Sequence, residues 1–250
     1  MTRFFLYLLA ITMFSACKNQ EVSLSEIRGK EITISDSLQA NQAINNFIAP
    51  YKKNIDKQMD SVLAYAPKSL SKSDGAYNTA IGNMLADAVF ELEGPIFKQR
   101  TNSNIDAVLL NHGGIRSTLN QGSVTMRSAY EIMPFENMIV VVELTGKKVN
   151  EMFQYLKSGK AHPLSGIQLV LNDKGDIETA TIGGAQVDEN KTYFIATSDY
   201  LQQGGDRMDF FKDPVSIQET DYKLRNLLID YFAKHDTIAP VRDNRFIKIQ

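Results

Sequence analysis

The sequence predicts an α+β domain in which a mixed β-sheet is flanked by helices. Three observations predict it. Apolar runs of strand length recur at residues 105–110, 138–144 and 192–197. Two further strand-like segments, 167–171 and 177–182, flank the turn former Asn172-Asp-Lys-Gly-Asp176 and read as a hairpin. Between these lie stretches whose apolar residues repeat at helical spacing. Hairpins mixed with helices argue for α+β with a mixed sheet.

The elements follow in order. Residues 1–16 open with Arg3, run through an apolar stretch too short to span a bilayer, and close on Ser15 and Ala16 before the only cysteine, Cys17. That is the pattern of a cleaved export signal. Cys17 then reads as the acylated first residue of a bacterial envelope lipoprotein, attached to the membrane; the other reading is a secreted protein in which Cys17 is incidental. Residues 17–40 are a polar tether with one alternating stretch, 31–35, able to form a strand. The domain proper is 41–250. Ile44, Phe47, Ile48, Tyr51, Ile55, Met59 and Val62 fall on one helical face across residues 41–64 that is expected to pack along the domain, with Pro50 expected to end or kink the helix. Asn78 is the expected N-cap of a helix bearing Ile81, Leu85, Ala88, Val89 and Leu92, and Gly94-Pro95 its expected stop. Val149, Met152, Phe153 and Leu156 mark a third helix after the second apolar run. Leu224, Leu227, Leu228, Tyr231 and Phe232 mark a C-terminal one, and residues 245–249 suit an edge strand.

Composition narrows the function. With 27 Lys+Arg against 29 Asp+Glu, net charge −2, and no basic stripe, the chain lacks the electrostatic footprint of a polymeric nucleic-acid binder.

Chemistry concentrates in three loops. Asn111-His-Gly-Gly-Ile-Arg116 follows a buried strand: Gly113 and Gly114 let the backbone approach a ligand, and the Arg116 fork suits a phosphate or carboxylate. By itself this is equally well a turn with a solvated arginine. Pro134-Phe-Glu-Asn137 sets a ring, Phe135, and an amide, Asn137, on one side of an extended segment, where the ring could stack a base; a core phenylalanine and a turn asparagine fit as well. Ser198-Asp-Tyr-Leu-Gln-Gln-Gly-Gly-Asp206 places Tyr200 before the double glycine ending at Gly205. Asp206 follows, a carboxylate able to accept from two sugar hydroxyls or simply a turn residue.

Taken together, in this order and spacing, the three loops resemble the C-terminal, substrate-binding domain of the 5'-nucleotidase family from about residue 41 onward. Supporting stretches are Gly82-Asn-Met-Leu-Ala-Asp-Ala88, residues 122–125 leading to Pro134-Phe135, and Leu144-Thr-Gly146. The resemblance implies that Asn111 and Arg116 hold the ribose and phosphate side of a nucleoside or nucleoside monophosphate. It implies too that Phe135 and Tyr200 sandwich the base, that Asn137 touches it, and that Asp206 binds the ribose. Two positions depart from the family pattern: His112 stands where Gly or Ala is common, and an arginine usual just before the Gly-Asn helix is replaced by residues such as Tyr77.

The family hydrolyses phosphate esters with a two-metal centre in an N-terminal calcineurin-like domain. That centre is built from an Asp-x-His, a Gly-Asn-His-Asp/Glu loop and later histidines, and none of these motifs occurs here. His112, His162 and His235 are scattered without metal-ligand spacing. His162 reads as a loop residue beside Pro163, His235 as a helix-end residue, and His112 as a pocket residue rather than a general base. No catalytic residue, metal ligand or cofactor is expected in this chain. Divalent metals are expected only in a separate metallophosphoesterase partner, so that the chain is the binding half of a split phosphohydrolase. The alternatives are an envelope lipoprotein that binds nucleosides or nucleotides without an enzymatic partner, and a relic with an unused pocket.

Overall fold

Strand β4 (Met138–Thr145) is apolar on both faces, and that property organises the fold. The computed structural model describes residues 24–249; the expected export signal and Cys17 lie outside them. From β4, Ile139 and Val141 face one hydrophobic core and Val140, Val142 and Leu144 another, so the sheet must be covered on both sides. The first core is closed by helices α2 (Ala80–Thr101) and α6 (Leu224–Lys234). The second is closed by α4 (Gly146–Leu156) and the hairpin of β6 (Ile167–Leu171) with β7 (Ile177–Ile182).

The five-stranded sheet has the order β10-β4-β9-β2-β5, with β2 at Ala107–Leu109, β5 at Leu164–Ser165, β9 at Thr192–Ser198 and β10 at Ser216–Lys223. Strands β2 and β9 run parallel, and every other pair is antiparallel. This mixed pairing, with helices outside it, is the predicted α+β architecture. Strands β6 and β7 pair antiparallel as expected. Strand β11 (Phe246–Lys248) joins the edge of their four-stranded sheet, β11-β6-β7-β8, whose last strand is Ala185–Gln186. A two-stranded ribbon of β1 (Val62–Ala66) and β3 (Gly122–Thr125) leads into the short helix α3 (Met126–Ile132), started by a Thr125–Ser128 capping box.

Several local expectations give way. Residues 31–35 form no strand: Ile32 and Ile34 stay exposed, and two isolated apolar side chains make too little of a face to hold one. Helix α1 (Gln42–Met59) has none of its residues fully buried, and it ends before Val62, which opens β1 instead of continuing the helix. It also continues across Pro50, starting from an Asn41 side chain that caps Ala43 and Ile44. Helix α2 likewise runs past Pro95 to Thr101. Beyond the proline it buries Phe97 against Phe194 (ring centroids 5.3 Å apart), and that burial offsets the lost backbone hydrogen bond.

The α2 cap is one residue later than expected. Thr79 accepts from Gly82 N–H, while Asn78 is buried and donates its amide to the carbonyls of Asp243 and Phe246. Asn83 bonds Asn78 and the Val241 carbonyl, and Asp87 takes Arg245 in a bidentate pair at 2.8 and 2.9 Å. The Gly-Asn-Met-Leu-Ala-Asp stretch therefore anchors the C-terminal segment.

Candidate functional site

Strand direction explains why three loops distant in sequence meet. Because β2 and β9 are parallel neighbours, with Val108 opposite Ala196, the loops that follow them leave the same end of the sheet. Strand β4 is antiparallel to β9, with Ile139 opposite Ser198, so the loop entering β4 arrives at that end as well. Together they enclose a cavity of about 310 Å³ lined by Asn111, Gly113, Gly114, Arg116, Phe135, Asn137, Tyr200 and Asp206. The volume is at the small end of the ~300–1,000 Å³ usual for ligand sites. Of the substrate-binding residues expected from sequence, only Gly205 is not in the lining.

Gly205 acts one step behind it. A Cβ there would lie 2.5 Å from the Tyr200 ring and 2.6 Å from its carbonyl, so glycine is what lets the tyrosine fold over this turn. The residues around it share a left-handed backbone: Gly204 (φ 90°), Asp206 (φ 53°) and Arg207 (φ 62°). Such a conformation costs a non-glycine residue roughly 1–3 kcal/mol and persists only where its surroundings hold it. Here they do. Tyr200 Oη accepts the Asp206 N–H at 3.3 Å and donates to Oδ1 at 3.1 Å, and the Tyr155 hydroxyl donates to the Asp206 carbonyl at 3.0 Å. Asn111 Nδ2 donates to Oδ2 at 2.8 Å. Each carboxylate oxygen keeps a lone pair for a further donor.

The Gly113-Gly114 turn serves the same contact. A Cβ on Gly114 would come within 2.8 Å of Asn111 Oδ1, so the bare backbone lets Asn111 fold back towards Asp206. Arg116 donates to the Gly113 carbonyl at 3.3 Å, and its guanidinium carbon lies 5.9 Å from the Phe135 ring centre. Phe135 and Tyr200 are 40% and 45% exposed, which is unusual for large rings with a core nearby.

Sequence reasoning missed what holds Phe135. Arg225 of α6, 5% exposed, donates to the carbonyls of Pro134 (3.1 Å) and Phe135 (3.3 Å), pairs with Glu136, and lies 4.2 Å from the Tyr130 ring centre. Hydrogen bonds from Lys223 and Arg225 lower the Glu136 carboxyl to about 2. A signal was available, since Arg225 shares a helical face with Leu228 and Phe232, and a cation on an apolar face needs partners. Arg225→Met is expected to lower unfolding stability by about 2 kcal/mol in urea titrations, because it strips hydrogen bonds from a charged donor; unchanged stability would show that the loop holds itself.

The histidines divide differently from the sequence reading. His112 does not line the cavity; its N–H donates to Nδ1 of His162 at 3.2 Å, and its own Nδ1 lies 3.2 Å from the Ala161 carbonyl. His162 lies in the loop before β5, as expected, and its burial lowers its pKa to about 4. His235 ends α6 as expected, 3.2 Å from Glu91. Among the described residues no three His, Cys, Asp or Glu side chains gather to hold a metal ion.

Residues 62–213 match the family described as 5'-nucleotidase, C-terminal domain. The 5'-nucleotidase of Vibrio cholerae is 23% identical over 234 residues, covering 88% of this chain and 39% of that protein. Cell wall protein Lmo0130 of Listeria monocytogenes is 28% identical over 185 residues, 64% of this chain and 23% of that one. Among solved structures, the 5'-nucleotidase precursor of Thermus thermophilus superposes with a TM-score of 0.68 at 19% identity, over 82% of this chain and 43% of that one. That likeness is one of fold. The chain spans about two fifths of the V. cholerae relative's length.

Proposed function

We propose, from the premise that the chain belongs to the 5'-nucleotidase C-terminal domain family, that its cavity binds a nucleoside or nucleoside monophosphate for hydrolysis by a metallophosphoesterase. One observation carries this reading: eight residues, drawn from three loops, line a single cavity that holds two exposed rings and a hydrogen-bonded carboxylate. In it the base lies against Phe135 and Tyr200, with Asn137 at its edge. The ribose hydroxyls donate to the open lone pairs of Asp206, and Arg116 takes the phosphate side. Holding the ester in one orientation is the chain's contribution to catalysis; the hydroxide-generating metals belong to the partner. This division of labour is supported by a sequence with three scattered histidines and no calcineurin-like metal motif. The cell envelope is the proposed location, with acylated Cys17 as membrane anchor; the export-like first 16 residues and the similarity to a cell wall protein support it.

The test is an assay on nucleoside monophosphates with Mn or Zn. Purified protein is expected to bind the ligand and release no phosphate alone, and to raise the turnover of a metallophosphoesterase encoded beside it. Substantial hydrolysis by the protein alone would overturn the split arrangement. Binding with no effect on any such enzyme would favour a capture protein instead.

A further inference from the structure

Behind the wall formed by Gly113 and Asp206 lies a second cavity, of about 610 Å³, that shares those two residues with the first. Its other boundaries differ in chemistry. Where the first cavity presents aromatic rings, the second is lined by Lys160, Arg207, His112, His162, Tyr155 and Ser158. Two of these are permanent cations, and several others carry hydrogen-bond donors.

His162 gives the wall a fixed polarity. Its Nδ1 accepts from the His112 backbone, so the neutral ring carries its proton on Nε2, which is buried near the Leu110 backbone without a well-formed hydrogen bond. A buried donor left unmatched costs about 1–3 kcal/mol. With the Tyr155 hydroxyl committed to the Asp206 carbonyl, the cavity is rich in donors and cations, and its acidic member is the shared Asp206. A preference for an anion follows from that composition.

We propose that this second cavity is an anion subsite adjoining the nucleoside cavity across the shared Gly113 and Asp206, and that it takes a phosphate carried on the ribose 2' or 3' oxygen. The inference rests on the proposed reading of Asp206 as acceptor of the ribose hydroxyls. A ribose held there turns its 2' and 3' positions towards the shared wall, and a phosphate on either oxygen passes beyond it to Lys160 and Arg207. The other hydroxyl still donates to Asp206, and the two cations offset the repulsion between phosphate and carboxylate.

Calorimetry on the full chain at low salt tests this with adenosine, its 2'-, 3'- and 5'-phosphates, and inorganic phosphate. The 2'- or 3'-phosphate is expected to bind at least about tenfold tighter than adenosine, as one charge-assisted contact allows. The double variant Lys160→Ala/Arg207→Asn is expected to erase that gain while adenosine binding stays within about twofold; asparagine is chosen because it tolerates the left-handed backbone of position 207. Three results would overturn the subsite: 2'- and 3'-phosphates no tighter than adenosine, a gain that survives the double variant, or a 5'-phosphate that gains as much and loses it in the same variant. Failure of adenosine itself to bind would instead remove the nucleoside reading, and a phosphate signal that persisted without it would overturn the ribose assignment alone.

Discussion

Phe135→Ala combined with Tyr200→Ala is expected to remove most measurable affinity for adenosine, with each single change costing roughly 1–3 kcal/mol, a factor of about 5 to 150 in Kd. The effect is large because, among the residues that line the cavity, the two rings are the only apolar side chains; the rest are polar side chains and glycines. Both rings are nearly half exposed, so truncating them leaves the cores intact and circular dichroism should be unchanged. The singles differ in kind. Phe135→Ala removes only stacking area, whereas Tyr200→Ala also withdraws the hydroxyl that ties both the N–H and the carboxylate of Asp206. Tyr200→Phe separates the two: it keeps the π-face and frees the carboxylate, so it should cost less than Tyr200→Ala. A double variant that binds adenosine as tightly as the parent would sink the base sandwich altogether.

What was legible in the sequence is the composition of the site, and what was not is its closure. Each loop announced itself at the end of an apolar run, two by a glycine pair after the strand and one by a Pro-Phe before it, since the residues that flank a strand at the sheet end are exposed. Their convergence depends on β2 running parallel to β9 while β4 runs against it, a pairing choice that no periodicity encodes. The polar strand β10 left no alternation to read, because as an edge strand most of its side chains are exposed. Helix punctuation misled for a related reason. Pro50 and Pro95 each forfeit a hydrogen bond, yet the helices continue, and in α2 the burial of Phe97 outweighs the local signal. Arg225 and the burial of His162 were missed because a buried polar residue looks ordinary until its partners are known. Those partners lie 90 residues away for Arg225 and 50 for His162.

Two buried groups are expected to set opposing pH dependences of stability that hide one another in the parent protein. Burial lowers His162 from 6.5 to about 4, so as pH falls from 6.5 towards 4 the unfolded chain gains a proton that the folded chain refuses, and stability is lost. The gap corresponds to about 3 kcal/mol. Burial raises Glu93 from 4.5 to about 7, more than the nearby Arg100 charge lowers it; its folded form keeps a proton that the unfolded chain sheds, and stability is lost as pH rises from 4.5 to 7, again by about 3 kcal/mol. Between pH 4.5 and 6.5 the slopes are equal and opposite. The lowered carboxyls Glu91 and Asp243 act below that window, and the raised Asp106 is common to every variant compared. Urea unfolding at pH 4.5, 5.5 and 6.5 should therefore give the parent a shallow profile, in which the two contributions cancel and stability falls with pH only by what the raised Asp106 adds. Glu93→Gln, which mimics the protonated side chain, should become more stable as pH rises across the window. His162→Asn, whose carbonyl can replace Nδ1 as acceptor of the His112 N–H, should become less stable. A Glu93→Gln protein with a flat profile would mean that His162 is charged in the fold, and hence that its Nδ1 does not accept from His112.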